Sequence, residues 1–193
     1  MARPLFQTPG ACLPADTSTG TKARYDGKMT AQDKNLHTKR PRPRQRLTLA
    51  EYVRRRNGVP LGDSRSLRNM LIRSFGAGSF GQFWQYWNPI FGYGLGKYVY
   101  SPLQRFLRPA VALVMTFIVS GGIHDLVTMA IRRSTAFLFI PWFFLLGVGV
   151  VIGRGLNIDF SERPWLVRAA INLSYMLVCL AITLLARQQF GIS

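Results

Sequence analysis

Long apolar runs dominate the second half of the chain, and charged residues separate them. Three runs, at about residues 109–131, 135–153 and 165–187, each approach the ~20 residues that an α-helix needs to cross a bilayer. Arg132 and Arg133 are predicted to form a very tight turn between the first two runs, and a charged loop precedes the third. The pattern predicts an all-α integral membrane protein with about three transmembrane helices.

Before these runs, the apolar pattern is shorter and amphipathic. In LTLAEYVRRRNG, Thr48 and Glu51 have the spacing of a capping box and a glycine follows, which predicts a short helix. A second helix, apolar on one side and basic on the other, is predicted from Ser64 or Ser66 to Phe75. Amphipathic helices of this kind lie in the membrane interface, so we predict that both are surface anchors.

Residues 79–106 combine many aromatic side chains with residues that interrupt helices. Pro89 is predicted to break a helix, and Gly92, Gly94 and Gly96 to loosen the backbone that follows. Tyr and Trp concentrate where one end of the ring is apolar and the other is wet. We therefore expect interfacial or re-entrant aromatic helices here rather than a further span.

Residues 1–46 are rich in Thr, Lys, Pro and Arg and contain few apolar residues. Such a segment cannot bury enough apolar surface to offset its ordering entropy, so we predict a disordered basic tail followed by a membrane-embedded domain at residues 47–193. The N-terminus lacks the apolar core of a signal peptide. Both Met1 and Met29 are plausible start positions.

The charge of the chain is strongly positive and uneven. Lys and Arg number 25 against 8 Asp and Glu, a formal net charge of +17, and 16 of the basic residues fall within residues 1–75. Anionic lipid attracts such a segment by roughly 1 kcal/mol per basic residue.

Nucleic acid would also attract this basic segment, but the segment has few aromatic residues for base stacking and no recognisable nucleic-acid-binding module. We expect contact with membrane lipids, no nucleic acid and, from the distribution of basic residues, a cytoplasmic N-terminus. The compact apolar part fits a bacterial inner (cell) membrane.

The remaining polar residues of the apolar runs predict packing rather than chemistry. Asn172, Tyr175 and Cys179 share one face of the third run, where such residues usually form interhelical hydrogen bonds. The other cysteine, Cys12, lies in the polar tail. The spacing predicts neither a disulfide nor a metal site, and no cluster of Cys, His and carboxylate residues occurs elsewhere.

His124 is the least expected residue of the first apolar run. An ionisable side chain inside a membrane-length run is costly and is a functional-site hypothesis by default. Ser120, His124 and Thr128 are spaced to share one helix face, while Gly121 and Gly122 allow a neighbouring helix or a ligand to approach closely. Because an imidazole titrates near neutral pH, this histidine is a candidate general base.

Two further polar residues have alternative interpretations. Asp125 points about 100° away from His124 around a helix, so we predict that it pairs with Arg132 or Arg133 at the membrane edge. The amide of Asn88 is suited to orienting an imidazole or to donating to a developing oxyanion. The same residue is equally suited to ending a helix as a C-cap, and the spacing leaves both interpretations open.

The segment FWQYWNPIFGYGLGKYVYSPL, followed by TFIVSGGIHDL, resembles the membrane-bound O-acyltransferase (MBOAT) family. Family members share an aromatic Phe-Trp-x-x-Trp-His/Asn element, a Tyr-x-Pro-Leu-like stretch and an intramembrane histidine after a run of small residues. The Trp-Asn-Pro version is similar to the sterol and diacylglycerol acyltransferase branch, and the resemblance covers about residues 66–130. The matching residues are Phe83, Trp84, Trp87, Asn88, Tyr100, Pro102, Leu103, Ser120, Gly121 and His124.

The resemblance implies transfer of an acyl group from a thioester such as acyl-CoA, as co-substrate, to a hydroxyl inside a membrane tunnel, with no other cofactor. It implies that His124 removes the hydroxyl proton and that Asn88 orients it or steadies the tetrahedral intermediate. The residues expected to contact substrate are Trp84, Trp87, Ser120 and Gly121.

Family members are longer and build their tunnel from many more helices, and this chain resembles their C-terminal part. The resemblance therefore leaves three possibilities: an oligomer or partner subunit completes the tunnel, the acyl group is short, or the chain is an inactive relic. A non-catalytic membrane protein acting in assembly or lipid binding is the alternative function, although the presence of both Asn88 and His124 favours the enzyme. A membrane-tethered nucleic-acid binder would instead show salt-sensitive binding by residues 1–75 alone.

Overall fold

The computed structural model describes residues 47–133 and 137–189. Within these ranges the secondary structure is helical and contains no strand, which confirms the all-α prediction for the described part. The predicted disordered tail at residues 1–46 and Cys12 lie outside the described residues. The helices are α1 (Leu49–Asn57), α2 (Ser66–Phe75), α3 (Phe80–Tyr86), α4 (Pro89–Leu95), α5 (Pro109–Arg132), α6 (Phe139–Gly155) and α7 (Trp165–Gln189).

The predicted capping box at the start of α1 is confirmed. The Thr48 hydroxyl accepts a hydrogen bond from the backbone N–H of Glu51 at 3.3 Å, and the Glu51 carboxylate accepts one from the backbone N–H of Thr48 at 2.8 Å. These bonds from Thr48 hold the pKa of the Glu51 carboxyl below its usual value. Gly58 ends the helix in a left-handed conformation with a φ of 82°.

Helix α1 packs against protein on its apolar side and is more than a surface anchor. Its Tyr52 ring lies 5.4 Å from the Tyr93 ring of α4. Arg56 is only 8% exposed, and its backbone carbonyl accepts a hydrogen bond from Arg73 of α2 at 2.7 Å. These contacts hold α1 and α2 beside the aromatic segment.

The aromatic segment breaks where the sequence predicts but does not loosen afterwards. Helix α3 ends before Pro89, which is the first residue of α4. Beyond it the backbone stays helical through a π-helical segment, Gly96–Tyr100, and a last turn, Ser101–Leu103. The prediction of loosening at Gly92, Gly94 and Gly96 is therefore wrong. Leu95 and Tyr100 are buried in the core, and this packing outweighs the low helix propensity of glycine.

The long helices agree with the predicted spans to within a few residues. Helices α5 and α7 are long and apolar enough to cross a membrane by length and composition. Helix α6 is apolar but has 17 residues, which gives a rise of about 26 Å at ~1.5 Å per residue. The very tight turn predicted at Arg132 and Arg133 is wrong, because α5 ends at Arg132 and α6 begins only at Phe139.

Helices α5 and α6 form the most extensive contact in the described structure. The helices approach each other closely at Gly121, since a Cβ atom built there would lie 2.6 Å from the carbonyl oxygen of Phe139. Helix α7 is more peripheral, with only 17% of its most apolar window buried. Its many exposed aliphatic side chains are typical of a lipid-facing helix; they include Leu166, Leu177, Val178, Ile182 and Leu185.

Candidate active site

A small cavity of about 60 Å³ lies between α3, α4, α5 and α6. We call it the histidine cavity. A water molecule needs only ~10–15 Å³ of such volume, so this space holds a few waters or a pair of reacting groups but not an acyl chain. Five of the six predicted site residues line it: Trp84, Trp87, Asn88, Ser120 and His124. The other lining residues include Phe91, Gly92 and Phe143.

The hydrogen bonding of His124 defines the proton position on its imidazole. Its Nδ1 lies 2.7 Å from the backbone carbonyl oxygen of Ser120, one helical turn earlier in α5. A carbonyl only accepts, so Nδ1 carries the hydrogen and the neutral ring keeps a lone pair on Nε2. No described residue forms a hydrogen bond with Nε2. The imidazole therefore has one nitrogen for orientation and one for chemistry.

Aromatic rings surround this imidazole. The centroids of Phe91, Phe139 and Phe143 lie 5.9, 5.4 and 5.0 Å from that of His124. These rings come from α4 and α6, so the histidine is positioned by tertiary packing as well as by its own helix. The third residue of the predicted polar face, Thr128, donates its hydroxyl hydrogen to the His124 carbonyl oxygen at 2.8 Å. It is not a partner of the imidazole.

Asn88 lies on the same cavity and has a structural role there. It is the N-cap of α4, with a φ of 40°, and its Oδ1 accepts the backbone N–H of Phe91 at 3.2 Å. The C-cap alternative is wrong, because Trp87 occupies that position in α3. With Oδ1 used in the cap, the NH₂ group is a donor to which no described residue offers an acceptor. The cap thus leaves this donor for another partner.

Trp84 and Trp87 form an aromatic wall of the cavity. The Trp87 ring stacks on Phe83 at 5.5 Å, and the Trp84 ring meets Phe117 edge-on at 5.2 Å. The indole Nε1 of Trp84 is buried and has no hydrogen-bond partner within the described residues. An unsatisfied buried donor is uncommon and costs free energy, and an acceptor on a bound molecule would remove that cost.

Gly121, the sixth predicted site residue, does not line the cavity. Its position against Phe139 is a helix–helix contact, which is one of the two uses that the small-residue run predicts. The predicted interhelical role of Asn172 is confirmed, since its Nδ2 donates to the carbonyl oxygen of Phe75 in α2 at 3.4 Å. The same group donates to the carbonyl oxygen of Ala77, just after α2, at 3.0 Å. Among the described residues, no group of three or more His, Cys, Asp or Glu side chains is placed to hold a metal ion.

The predicted pairing of Asp125 with Arg132 or Arg133 is wrong. The carboxylate is 1% exposed and accepts three backbone N–H bonds of 2.9 Å at the start of α6; the donors are Leu138, Phe139 and Ile140. Within the described residues no ion pair joins it to either arginine. The first N–H groups of a helix lack intrahelical acceptors and favour negative charge, which explains the placement. Sequence spacing carries no signal for it, because the partners belong to another helix.

A model of the membrane bound O-acyl transferase family matches residues 68–146, which include Asn88, His124 and Asp125. No curated protein and no solved structure matches the chain. The family match and the long apolar helices support a membrane protein of the acyltransferase class. Over residues 68–146 the chain is therefore similar to the membrane bound O-acyl transferase family.

Proposed function

We propose that the protein is a membrane-embedded O-acyltransferase that moves an acyl group from a thioester, such as acyl-CoA, to a hydroxyl acceptor, with His124 as the general base. One observation carries the proposal. The Nδ1 bond to the Ser120 carbonyl leaves Nε2 as the basic nitrogen of an imidazole that lines a cavity shared with Asn88. A positioned base of this kind typically contributes about 10²–10⁴-fold to a rate.

In the proposed reaction, Nε2 takes the proton of the acceptor hydroxyl as its oxygen attacks the thioester carbonyl carbon. The resulting tetrahedral intermediate carries its negative charge on the former carbonyl oxygen. When that intermediate collapses, the C–S bond breaks and the imidazolium returns the proton to the leaving sulfur. The products are the ester and the free thiol, and His124 is neutral again.

Two donors are suited to stabilising the oxyanion. The Asn88 NH₂ group and the Trp84 indole N–H both belong to residues that line the histidine cavity, and neither has an acceptor within the described residues. Donors that are already oriented toward the atom where charge develops stabilise a transition state without reorganisation. We assign Asn88 to this role first, and Trp84 and Trp87 to holding the reacting end of the substrate.

The histidine cavity is too small to hold an acyl chain. A volume of about 60 Å³ admits the reacting carbonyl and hydroxyl only. We propose that the chain of the acyl group extends along apolar surface into lipid, or into a space completed by a second copy or a partner subunit. The proposed setting is a bacterial inner membrane, in contact with membrane lipids and with the N-terminus in the cytoplasm.

The same small volume favours a second candidate, a non-catalytic relative that serves assembly or lipid binding. Release of free thiol from a panel of acyl-CoAs by the protein in liposomes separates the two. If the protein is an enzyme, we expect the wild type to release free thiol and His124→Ala to show only background release. Equal, background release from both variants across acceptors and chain lengths, with no acyl-CoA binding, would overturn the proposed enzymatic function.

Two glycines of α4 offer a matched test of the location of the site. A side chain at Gly92 would start in open space and Gly92 lines the histidine cavity, whereas Gly94 has equal space but does not line it. We expect Gly92→Leu to block thiol release and Gly94→Leu to leave it near wild type. Equal activity of the two variants would place the reaction elsewhere.

A further inference from the structure

A second and larger cavity, of about 650 Å³, lies between α1, α3, α7 and the C-terminal end of α6. We call it the arginine cavity; the lining residues that matter here are Arg55, Arg154, Phe80, Gly153, Asn172 and Tyr175. It shares no lining residue with the histidine cavity. Aromatic side chains separate the two, since the Phe80 ring on one side lies 5.8 Å from the Trp84 ring on the other.

The charge that lines the arginine cavity is mainly positive. Arg154 is half-buried in the last turn of α6, and no carboxylate forms an ion pair with it within the part of the chain that the structure describes. The helix dipole favours a cation there, but a partly buried guanidinium normally has an anionic partner as well. Asp159, the acid among the lining residues, instead accepts hydrogen bonds from the backbone and hydroxyl of Ser161.

A buried acceptor lies in the same wall. Asn172 is 0% exposed, and its Nδ2 donates to the carbonyl oxygens of Phe75 and Ala77, which sets the orientation of the amide. Its Oδ1 is buried without a hydrogen-bond partner among the described residues. Because an oxygen of this kind needs a donor, a hydroxyl on a bound molecule would satisfy it.

The part of the wall formed by Tyr175 and the glycines of α6 is apolar and leaves space. The Tyr175 hydroxyl lies against the backbone of Gly149, where an added Cβ would be 1.2 Å from it, so the ring is set back against α6. A Cβ at Gly153 would meet no atom within 4 Å. The cavity thus combines a guanidinium, an unsatisfied acceptor and apolar rings beside the exposed surface of α7.

We propose that the arginine cavity binds a phosphate ester that carries a hydroxyl group, the phosphate on Arg154 and Arg55 and the hydroxyl near Asn172. Guanidinium groups bind phosphate oxygens through two parallel hydrogen bonds, which a half-buried arginine offers in a defined direction. Two sources have this chemistry, the headgroup of an anionic phospholipid and a soluble polyol phosphate. The site stands independently of the acyltransferase proposal.

The test is native mass spectrometry of the full chain in neutral detergent, with phosphatidylglycerol as probe and diacylglycerol as the matched lipid without phosphate. We expect one phosphatidylglycerol per chain and no diacylglycerol. Arg154→Gln should weaken the binding at least tenfold, while Arg68→Gln, an exposed arginine of α2 outside the cavity, should not. Arg154→Lys keeps the charge and is expected to fall between the two.

A steric pair keeps the test independent of charge and folding. Gly153→Leu fills the cavity, and Gly155→Leu adds the same side chain to the same helix in open space away from it. We expect only the first to lose phosphatidylglycerol. Helix content by circular dichroism checks that each variant folds.

A second arm distinguishes the sources. Displacement of the lipid by glycerol 3-phosphate, or binding of glycerol 3-phosphate alone with the same dependence on Arg154, would assign the site to a soluble ester. Retention of phosphatidylglycerol against glycerol 3-phosphate would assign it to lipid. Equal losses in Arg154→Gln and Arg68→Gln, equal binding of diacylglycerol, or no binding of either phosphate probe by folded protein would overturn the proposal. Thiol release is not measured in this experiment. A protein that releases no thiol can therefore still confirm or overturn the phosphate site.

Discussion

Asp125 in the C-terminal third of α5 accepts a hydrogen bond from the backbone N–H of Ile140 in α6 at 2.9 Å. With the Leu138 and Phe139 N–H groups, one carboxylate satisfies three donors at the start of the neighbouring helix. Helix α5, which carries His124, is thus joined to α6 by charge-assisted hydrogen bonds. The carboxylate that accepts them belongs to the residue directly after His124.

Removing this cap should lower the free energy of unfolding of the protein. Asp125→Ala leaves three N–H groups without their acceptor, at roughly 1–3 kcal/mol for each group that stays buried and unpaired. Asp125→Asn retains one acceptor oxygen and should lose less. The measurement is the free energy of unfolding in mixed micelles, with the exposed Glu162→Gln as control. If Asp125→Ala unfolds like the control, the cap does not stabilise the pair of helices.

We expect substitution by alanine to have opposite effects on stability at Gly121 and at Gly122. An added methyl at Gly121 would meet the Phe139 backbone at 2.6 Å, whereas at Gly122 the nearest atoms are 4.0 Å away on the flexible Ile140 side chain. Gly121→Ala should therefore separate α5 from α6 and destabilise the protein. Gly122→Ala should be neutral or stabilising by up to ~1 kcal/mol from helix propensity. Equal unfolding free energies for the two variants would contradict the close contact.

Asn88 combines a cap with a free donor, and two substitutions separate these roles. Asn88→Asp keeps the acceptor for the Phe91 N–H and tolerates the left-handed backbone, but it has no NH₂ group. We expect its stability to stay near wild type and its thiol release to fall severalfold or more. Asn88→Gly relieves backbone strain yet lacks both the cap and the amide, so it should also be inactive. Full activity in Asn88→Asp would restrict this residue to its structural role.

Trp84→Phe tests the unsatisfied indole donor. The substitution keeps an aromatic ring against Phe117 and removes the buried Nε1–H that has no partner in the described structure. Stability should be unchanged or raised, since an unpaired buried donor costs about 1–3 kcal/mol. If the donor contacts substrate, the rate of acyl transfer falls despite the retained fold. Trp142→Phe is the control for the rate, because it removes an indole donor that lies outside the histidine cavity. Equal rates for Trp84→Phe and Trp142→Phe would remove the Trp84 donor from the mechanism.

His124→Ala should lower turnover by about 10²–10⁴-fold, while Thr128→Val on the same helix face should not. Thr128 donates to the backbone carbonyl of His124 and does not contact its imidazole ring nitrogens. Both variants remove polar atoms from one face of α5. The comparison therefore distinguishes the loss of a general base from the loss of a polar side chain. A similar loss in both would indicate that the polar face, rather than the imidazole, supports activity.

The sequence by itself determined the local features. The capping box at Thr48, the helix break at Pro89 and the positions of α5 and α7 follow from nearest-neighbour hydrogen bonding and from apolar run length, which act over a few turns. The order and spacing of the motif that contains Asn88 and His124 carried the resemblance to the family. The cost of an ionisable side chain in an apolar run separately marked His124 as a candidate functional residue.

Only the tertiary structure decided what these residues contact. Asp125 caps α6 rather than pairing with Arg132 or Arg133, because its partners are backbone groups 13 to 15 residues away on another helix. The same holds for the helical backbone at Gly94, which packing stabilises against its propensity, and for the arginine cavity, whose walls come from four separate helices. Such contacts depend on how helices approach one another in space, and that approach leaves no periodic signal in the sequence.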